Sequence, residues 1–351
     1  MRKIILISMA AIFAIGVMAQ QKMRVWKNHS LAYEEDVTQI DSITFYDEYE
    51  GALNGVFSVA ADKKVRFSKG NLQYNAALGT HLCADGTTKE GTWRFAENQW
   101  DYVGDATNGA VYENEIKCNN GLISSSYNGW IDLFGWGTSG WNSGATAYQP
   151  YSTSTRNNDY YPGGNSNNDL TDNYANADWG VYNAISNGGN QANAWRTLAS
   201  EEWYYLFHNR ENAEMLLSWG SINGMNGVIL LPDNWTIPNG ISFISCESAG
   251  IVFSLDDSSY YTENIFSLNT YSVTEWAIME KYGAIFLPAD GIRTIYDSIV
   301  MLNTRGHYWS SSAVYDQEFA NDVSFDSTRF NIKGKANRFQ GRSVRLVCDV
   351  K

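Results

Sequence analysis

The chain has 351 residues, enough for one large domain or two ordinary ones around a substantial core, and its apolar fraction of 44% with 13 Trp, 22 Tyr and 15 Phe excludes a disordered chain. Its 25 basic and 38 acidic side chains give a net charge of −13, with no Lys/Arg run able to follow a phosphate backbone, which argues against a nucleic-acid partner. Four His and four Cys without a close grouping disfavour zinc chemistry, and five Pro exclude a Pro-rich stalk.

Met1-Arg2-Lys3, the apolar run over 4–17 and the small-residue pattern Val17-Met18-Ala19 read as a secretory signal peptide cut after Ala19. The run is too short to cross a bilayer, which takes roughly 20 residues. The mature chain is then acidic and exported, without a transmembrane span, and is placed in the periplasm, at the cell surface or outside the cell. Export permits disulfides, and Cys83, Cys118, Cys246 and Cys348 allow three pairings, among which sequence does not choose.

Residues 20–50 form a small N-terminal element, with "MRVWKN" and "IDSITFYD" as two strands around a polar turn at "EEDVTQ". Alternation through Val56, Val59, Val65, Phe67 and Leu72 predicts further strands at the start of the domain over 51–351. Over 104–189 Gly, Asn, Ser, Thr and Tyr dominate without a period. Trp130, Trp136, Trp141, Tyr148, Tyr151, Tyr160 and Tyr161 make this a packed loop insertion rather than a solvated linker.

"SEEWYYLFHNRENAEMLLSW" predicts a helix with Ser200 as N-cap, Glu201 and Glu202 in the first turn and Trp203, Leu206 and Phe207 inward. A second helix is predicted over "TEWAIMEKYG", with Trp276, Met279 and Tyr282 as its stripe. Each helix runs into a short strand, "GVILLP" and "GAIFLP". The C-terminal third, "GHYWSSS", "FANDVSFDS", "RFNIKG" and "GRSVRLVCDV", reads as an antiparallel sheet. The fold class is α+β, with short antiparallel strands, two main helices and long irregular loops.

No nucleophile elbow, H-E-x-x-H, P-loop or dinucleotide fingerprint is present. Acids are abundant enough that a glycosidase pair such as Glu201 with Asp290 can be nominated, but a helix-start charge and a turn residue explain them equally. The Asn/Asp-rich stretch from Asn157 to Asp178 offers oxygens of the kind calcium takes, without the spacing of a calcium loop, so no cofactor or metal is assigned. His29, His81, His208 and His307 lie far apart. His208 falls in an apolar helix, while His307, in a Gly-His-Tyr-Trp run, is placed at a loop tip within reach of a ligand. Flat rings that stack on sugars, with amides and hydroxyls to orient them, are the remaining inventory.

"AWRTLASEEWYYLF", "GHYWSSS" and "NRFQGRSVRLVC", in that order, resemble exported Bacteroidetes proteins carrying the Fibrobacter succinogenes major paralogous domain. They are also similar to the wider C-type-lectin-like fold group, which includes formylglycine-generating enzymes and retroelement-diversified receptors. "VWKNHSLAYEEDVTQIDSITF" resembles the opening of many secreted Bacteroidetes proteins. The resemblance spans about residues 24–351 and implies a C-type-lectin-like domain. It assigns structural roles to Trp195, Arg196, Trp203, Trp309 and Arg345. It implies a ligand face between Tyr308 and Arg342, with Tyr315, Asp316, Phe319, Asn321, Arg329, Asn337 and Arg338 outward and His307 beside them.

The copper-site cysteines of the enzymatic members have no counterpart, since Cys348 follows "SVRLV" and Cys246 lies far upstream. The lectin calcium motifs have only near misses in Gln149-Pro150-Tyr151 and Trp141-Asn142-Ser143. The expected function is that of a non-catalytic binding protein for a glycan or an extracellular surface protein, used in adhesion. The competing classes are a polysaccharide-acting enzyme, which needs two facing carboxylates in a cleft, and a structural component of an extracellular assembly.

Overall fold

The structure is a computed structural model and describes residues 22–27, 29–39, 49–102, 110–112, 115–117, 129–142, 154–251, 265–294 and 299–350. It divides into two compact units, Met1–Glu48 and Tyr49–Lys351. No helix among the described residues is long and apolar enough to cross a membrane.

In the first unit β1 (Lys22–Lys27) pairs antiparallel with β2 (Ser30–Asp36). β2 takes in Glu34–Asp36 of the polar "EEDVTQ" expected as a turn, and "IDSITFYD", expected as the second strand, lies outside the described residues. Val25 pairs with Tyr33 and Trp26 with Leu31, and all four are exposed. Lys22 and Arg24 both donate to Glu34.

The second unit is a mixed α+β fold of open sheets. β3 (Phe57–Ala60) and β4 (Lys63–Phe67) join a four-stranded sheet; β5 (Leu72–Leu82) and β6 (Thr88–Phe95) form a long hairpin; β7 (Ala110–Tyr112) and β8 (Glu115–Lys117) pair with each other. The expected loop insertion over 104–189 carries, among its described residues, the strands β7 and β8, short 3-10 turns and helix α1 (Trp179–Tyr182), then β9 (Arg196–Thr197) follows. Asp178 caps α1, accepting from the Gly180 amide at 3.0 Å and from the Thr197 amide at 2.7 Å. Burial outweighs these donors and raises its pKa to about 6.

Helix α2 is short, Ser200–Tyr204, with one wide π-turn over Tyr205–Asn209. Its N-cap is Ala199, not Ser200, and the Ala199 amide is satisfied by Glu202 Oε2 at 2.9 Å. Arg196 clamps the same carboxylate with two bonds of 2.6 and 2.9 Å and reaches Asp349 at 2.7 Å. The helix ends earlier than its sequence suggested, because Arg210 turns inward onto the carbonyls of Leu231 and Leu216 and Asn212 takes φ 57°. Leu216 closes a 3-10 turn over Ala213–Leu216, and "LSW" belongs instead to β10 (Leu217–Ile222), which turns through Asn223-Gly224 into β11 (Met225–Leu230).

β12 (Thr270–Tyr271) leads into α3 (Val273–Lys281), where Ser272 and Glu275 form a reciprocal capping box. Trp276 and Met279 are buried; Tyr282, expected in that stripe, lies past the helix end and is exposed. β13 (Ile285–Pro288) completes the sheet β12-β10-β11-β13, and β14 (Ile292–Arg293) and β15 (Ile299–Val300) extend β7 and β8. β16 (Arg305–Ala313), β17 (Phe319–Asp326) and β18 (Phe330–Asn337) make a three-stranded antiparallel sheet, and β19 (Leu346–Asp349) sits between β4 and β9.

Two large aromatic cores form, beside a smaller cluster around Tyr271, Trp276 and Phe286. One packs Phe57, Phe67, Trp203, Phe207, Trp219, Phe325 and Phe330; the other Trp93, Phe95, Phe134, Trp136, Trp179, Trp195 and Trp309. The indole N–H groups of Trp136, Trp195 and Trp309 donate to the carbonyls of Ser310, Gly188 and Phe134 at 2.7–2.8 Å. Buried indoles placed this way fix loops as well as fill volume.

Candidate loop-built binding face

The hairpin β16–β17 ends in a turn over 314–318, closed by the Gln317 amide on the Val314 carbonyl at 3.1 Å and by Asp316 at φ 53°. Asp and Asn tolerate this left-handed conformation better than other non-glycine residues. Tyr315 stands at the tip, 77% exposed.

Segment 154–170 is laced to this end of the sheet by side-chain amides and carboxylates. Asn167 donates Nδ2 to Asp316 Oδ1 at 2.9 Å and accepts the Asp316 amide at 2.7 Å. Asp169 accepts the Ala313 amide at 2.7 Å, and the Leu170 amide donates to the Ser311 carbonyl at 2.8 Å. Asn157 donates to Asn337 Oδ1 at 2.8 Å and accepts the Arg338 amide at 2.7 Å. A carboxamide carries a donor and an acceptor together, so it can replace a strand's backbone where the loop has no ladder of its own.

Arg338 is buried rather than outward, which corrects the sequence expectation. Its guanidinium lies between the rings of Trp136 at 4.4 Å and Tyr161 at 4.6 Å, and Nη2 donates to the carbonyls of Ser166 and Phe319. Burial lowers its pKa to about 10, against the influence of Tyr161 and Asp169, so it is charged at neutral pH. A weakly hydrated planar cation suits such an aromatic slot.

The other expected ligand residues divide. Phe319 and Asn337 pair across the strands at the Tyr315 end, and Asn321, two pairs further in, donates to the Gly334 carbonyl at 3.2 Å. All three are half-buried. Arg329 lies in the turn at the opposite end, where its carbonyl accepts the Asp326 amide at 3.0 Å. Six residues of β17 separate the ends, roughly 20 Å. The structure thus brings Tyr315, Asp316, Phe319, Asn337 and Arg338 together and sets Arg329 and His307 apart.

His307 is within β16, opposite Ser324, and not at a loop tip. Arg342 donates to its Nδ1 and, at 2.6 Å, to Asp322 Oδ2. Burial and the Arg342 charge both lower the His307 pKa, outweighing Asp322, so the ring is neutral with its proton on Nε2. Burial works against Asp322 ionisation, but the carboxyl is held below its usual range, with the adjoining Arg342 guanidinium as the largest opposing influence. These three groups form a closed knot under the sheet.

Trp195, Trp203, Trp309 and Arg345 are buried, and Arg196 is partly exposed in its ion-pair network. Glu201, with its side chain 77% exposed, pairs with Lys333 at 2.7 Å, whereas Asp290 is fully buried and not a surface turn acid. These two therefore do not face each other across a cleft. Among the described residues no three His, Cys, Asp or Glu side chains converge as metal ligands. Cys83, Cys246 and Cys348 are buried free thiols, so no disulfide joins them, and Cys118 is outside the described residues. We expect denatured, unreduced protein to titrate at least these three thiols with a disulfide reagent; fewer would contradict the arrangement.

Sequence reasoning missed Asn157, Asn167, Asp169, Trp136 and Tyr161 as builders of the face. The Asn-rich run "RNNDYYPGGNSNND" was the available signal, since so many amides in a packed segment need partners. The near miss at Gln149-Pro150-Tyr151 lies outside the described residues. No protein-family model, curated protein or solved structure matches the chain.

Proposed function

We propose that the chain is an exported, non-catalytic binding protein with a C-type-lectin-like domain, and that it recognises a glycan through the face around Tyr315. The observation that carries the reading is the combination of an exposed ring and a braced tip: Tyr315 is 77% exposed while Asp316, its neighbour, is held by two bonds to Asn167. An aromatic ring on a pre-ordered turn loses little conformational entropy when a sugar stacks on it. Exposed Asn158, Asn165, Gln317 and Glu318 supply nearby polar groups. An extracellular protein partner is the second reading.

The test is binding of mature chain, residues 20–351, to an array of host and microbial glycans, with calcium and with chelator. We expect a reproducible set of glycan hits. Hits that survive chelator place recognition on protein groups alone; hits lost with chelator bring calcium into the site. No glycan hit in either condition contradicts sugar recognition and moves the reading to a protein partner.

A further inference from the structure

Two carboxylates away from the face are fully buried and incompletely satisfied. Among the described residues, neither oxygen of Asp132 has a hydrogen-bond donor from another residue, nor has Asp290 Oδ1. Asp290 Oδ2 accepts from Ser343 Oγ at 2.8 Å and from Asn71 Nδ2. Asn71 also approaches the Tyr308 hydroxyl at 3.3 Å, which donates to the Pro288 carbonyl at 2.8 Å. The charged groups around the two acids are the Asp101 carboxylate, felt by both, the buried Arg345 guanidinium, which acts on Asp290, and the buried Arg293 guanidinium, which donates to the carbonyl of Leu133 beside Asp132. Arg345 is itself tied to Gln99 Oε1 at 2.8 Å and faces Glu280.

Two adjoining strips carry this arrangement toward the proposed face. Phe134 and Arg342 exchange backbone bonds of 3.0 and 3.1 Å, and the Trp136 amide donates to the Arg338 carbonyl at 2.8 Å. Asp132 precedes the first strip's pairing by two residues, and Ser343, the Asp290 donor, follows Arg342 on the second. At the far end of both strips Trp136 forms one wall of the Arg338 slot.

We propose that Asp132 and Asp290 form a proton-carrying pair, and that its full ionisation loosens the two strips holding the Arg338 slot. An ionised carboxylate in the interior without donors costs several kcal/mol, and such groups neutralise instead. Burial, with the charge of Asp290, raises the Asp132 pKa well above the carboxylate range. Burial also raises that of Asp290 to about 7, against Ser343, Asn71 and Arg345. The pair rests on the burial and the orphaned oxygens of the two carboxylates; only its consequence for ligand binding rests on the face proposed above.

The sign follows from linkage. The unfolded chain releases these protons near pH 4, while the folded chain keeps the Asp290 proton to about pH 7, so stability is lost as pH rises between those values. Asp178 acts in the same direction up to about pH 6, so the comparison is with D132N/D290N, which retains it. From about pH 5 to pH 7 the unfolding constant of wild type, relative to this variant, is expected to rise by about 50-fold from Asp290 alone. Parallel pH profiles for the two proteins would overturn the proposal.

Infrared difference spectra of wild type keep the test open if the variant does not fold. A carboxylic-acid carbonyl band at about pH 6 that disappears above neutrality is expected. Its absence, together with a melting temperature restored by calcium chloride at about pH 8, would make a cation the neutralising partner and overturn the pair. Amide exchange at Phe134, Trp136 and Arg342, corrected for intrinsic pH dependence, is expected to accelerate across the same titration. Unchanged exchange would overturn the link to the Arg338 slot. None of these measurements needs a ligand, so their failure is distinct from failure of glycan binding.

Discussion

Trp309→Ala is expected to lower the unfolding free energy by about 3–5 kcal/mol, measured by urea denaturation. The indole is fully buried in the core that also holds Trp93, Phe134, Trp136, Trp179 and Trp195. Its truncation opens a void that neighbouring large rings cannot all collapse into. It also removes the 2.7 Å bond from Nε1 to the Phe134 carbonyl, on the strip that continues to Trp136. Trp309→Phe keeps most of the ring volume and is expected to lose less. A loss below about 1 kcal/mol for the alanine variant would contradict the central place given to this side chain.

Asp322→Ala is expected to be as damaging, by about 3–5 kcal/mol, for an electrostatic reason. Arg342 and Asp322 are both buried, 2.6 Å apart at Nη1 and Oδ2, and removing the carboxylate leaves a desolvated guanidinium beside a neutral His307. Replacing both members, as D322L/R342M, removes the charge together with its counter-charge. That double variant is expected near or above wild-type stability if the leucine clears Gly334, whose position already leaves room for the Asp322 carboxylate. Equal losses for the single and double variants would show that packing, not the ion pair, dominates at this site.

The fold was legible where local chemistry and burial agree. Alternation in "FANDVSFDS" and "RFNIKG" marks β17 and β18 because one face of each is buried, and Trp276 with Met279 marks α3 for the same reason. The end of α2 was harder, since Leu216 and Leu217 continue the apolar pattern of a helix. The competing signal is Asn223-Gly224, whose two positive φ values make the tight turn joining β10 to β11. Recruiting "LSW" to that hairpin buries Trp219 and leaves α2 to stop at its π-turn.

The face was only half legible. Tyr315 and Asp316 lie in a recognisable turn, but the bond from Asn157 to Asn337 joins residues 180 positions apart, and no spacing rule connects them. The outward place of Arg338 is what the resemblance implies, and nothing in the local sequence of a long charged side chain signals burial. Its aromatic slot comes from Trp136 and Tyr161, contributed by two separate segments of the irregular region. A buried cation of this kind is visible only once tertiary structure has brought the rings together. His307 was misplaced for a related reason: a Gly-His-Tyr-Trp run looks like a tip, yet it continues a strand whose neighbour supplies Asp322.

Because Arg338 braces the face from inside, altering it would disturb folding and recognition together, whereas Tyr315 offers a cleaner probe. Truncating so exposed a ring is expected to leave stability within about 0.5 kcal/mol. The most direct measurement is therefore the affinity of wild type and Tyr315→Ala for a glycan that binds the mature chain, with urea denaturation of both proteins alongside. A loss of at least about tenfold in affinity, roughly 1.4 kcal/mol, at unchanged stability is the expected result. Equal affinity for the two proteins would contradict recognition through this face.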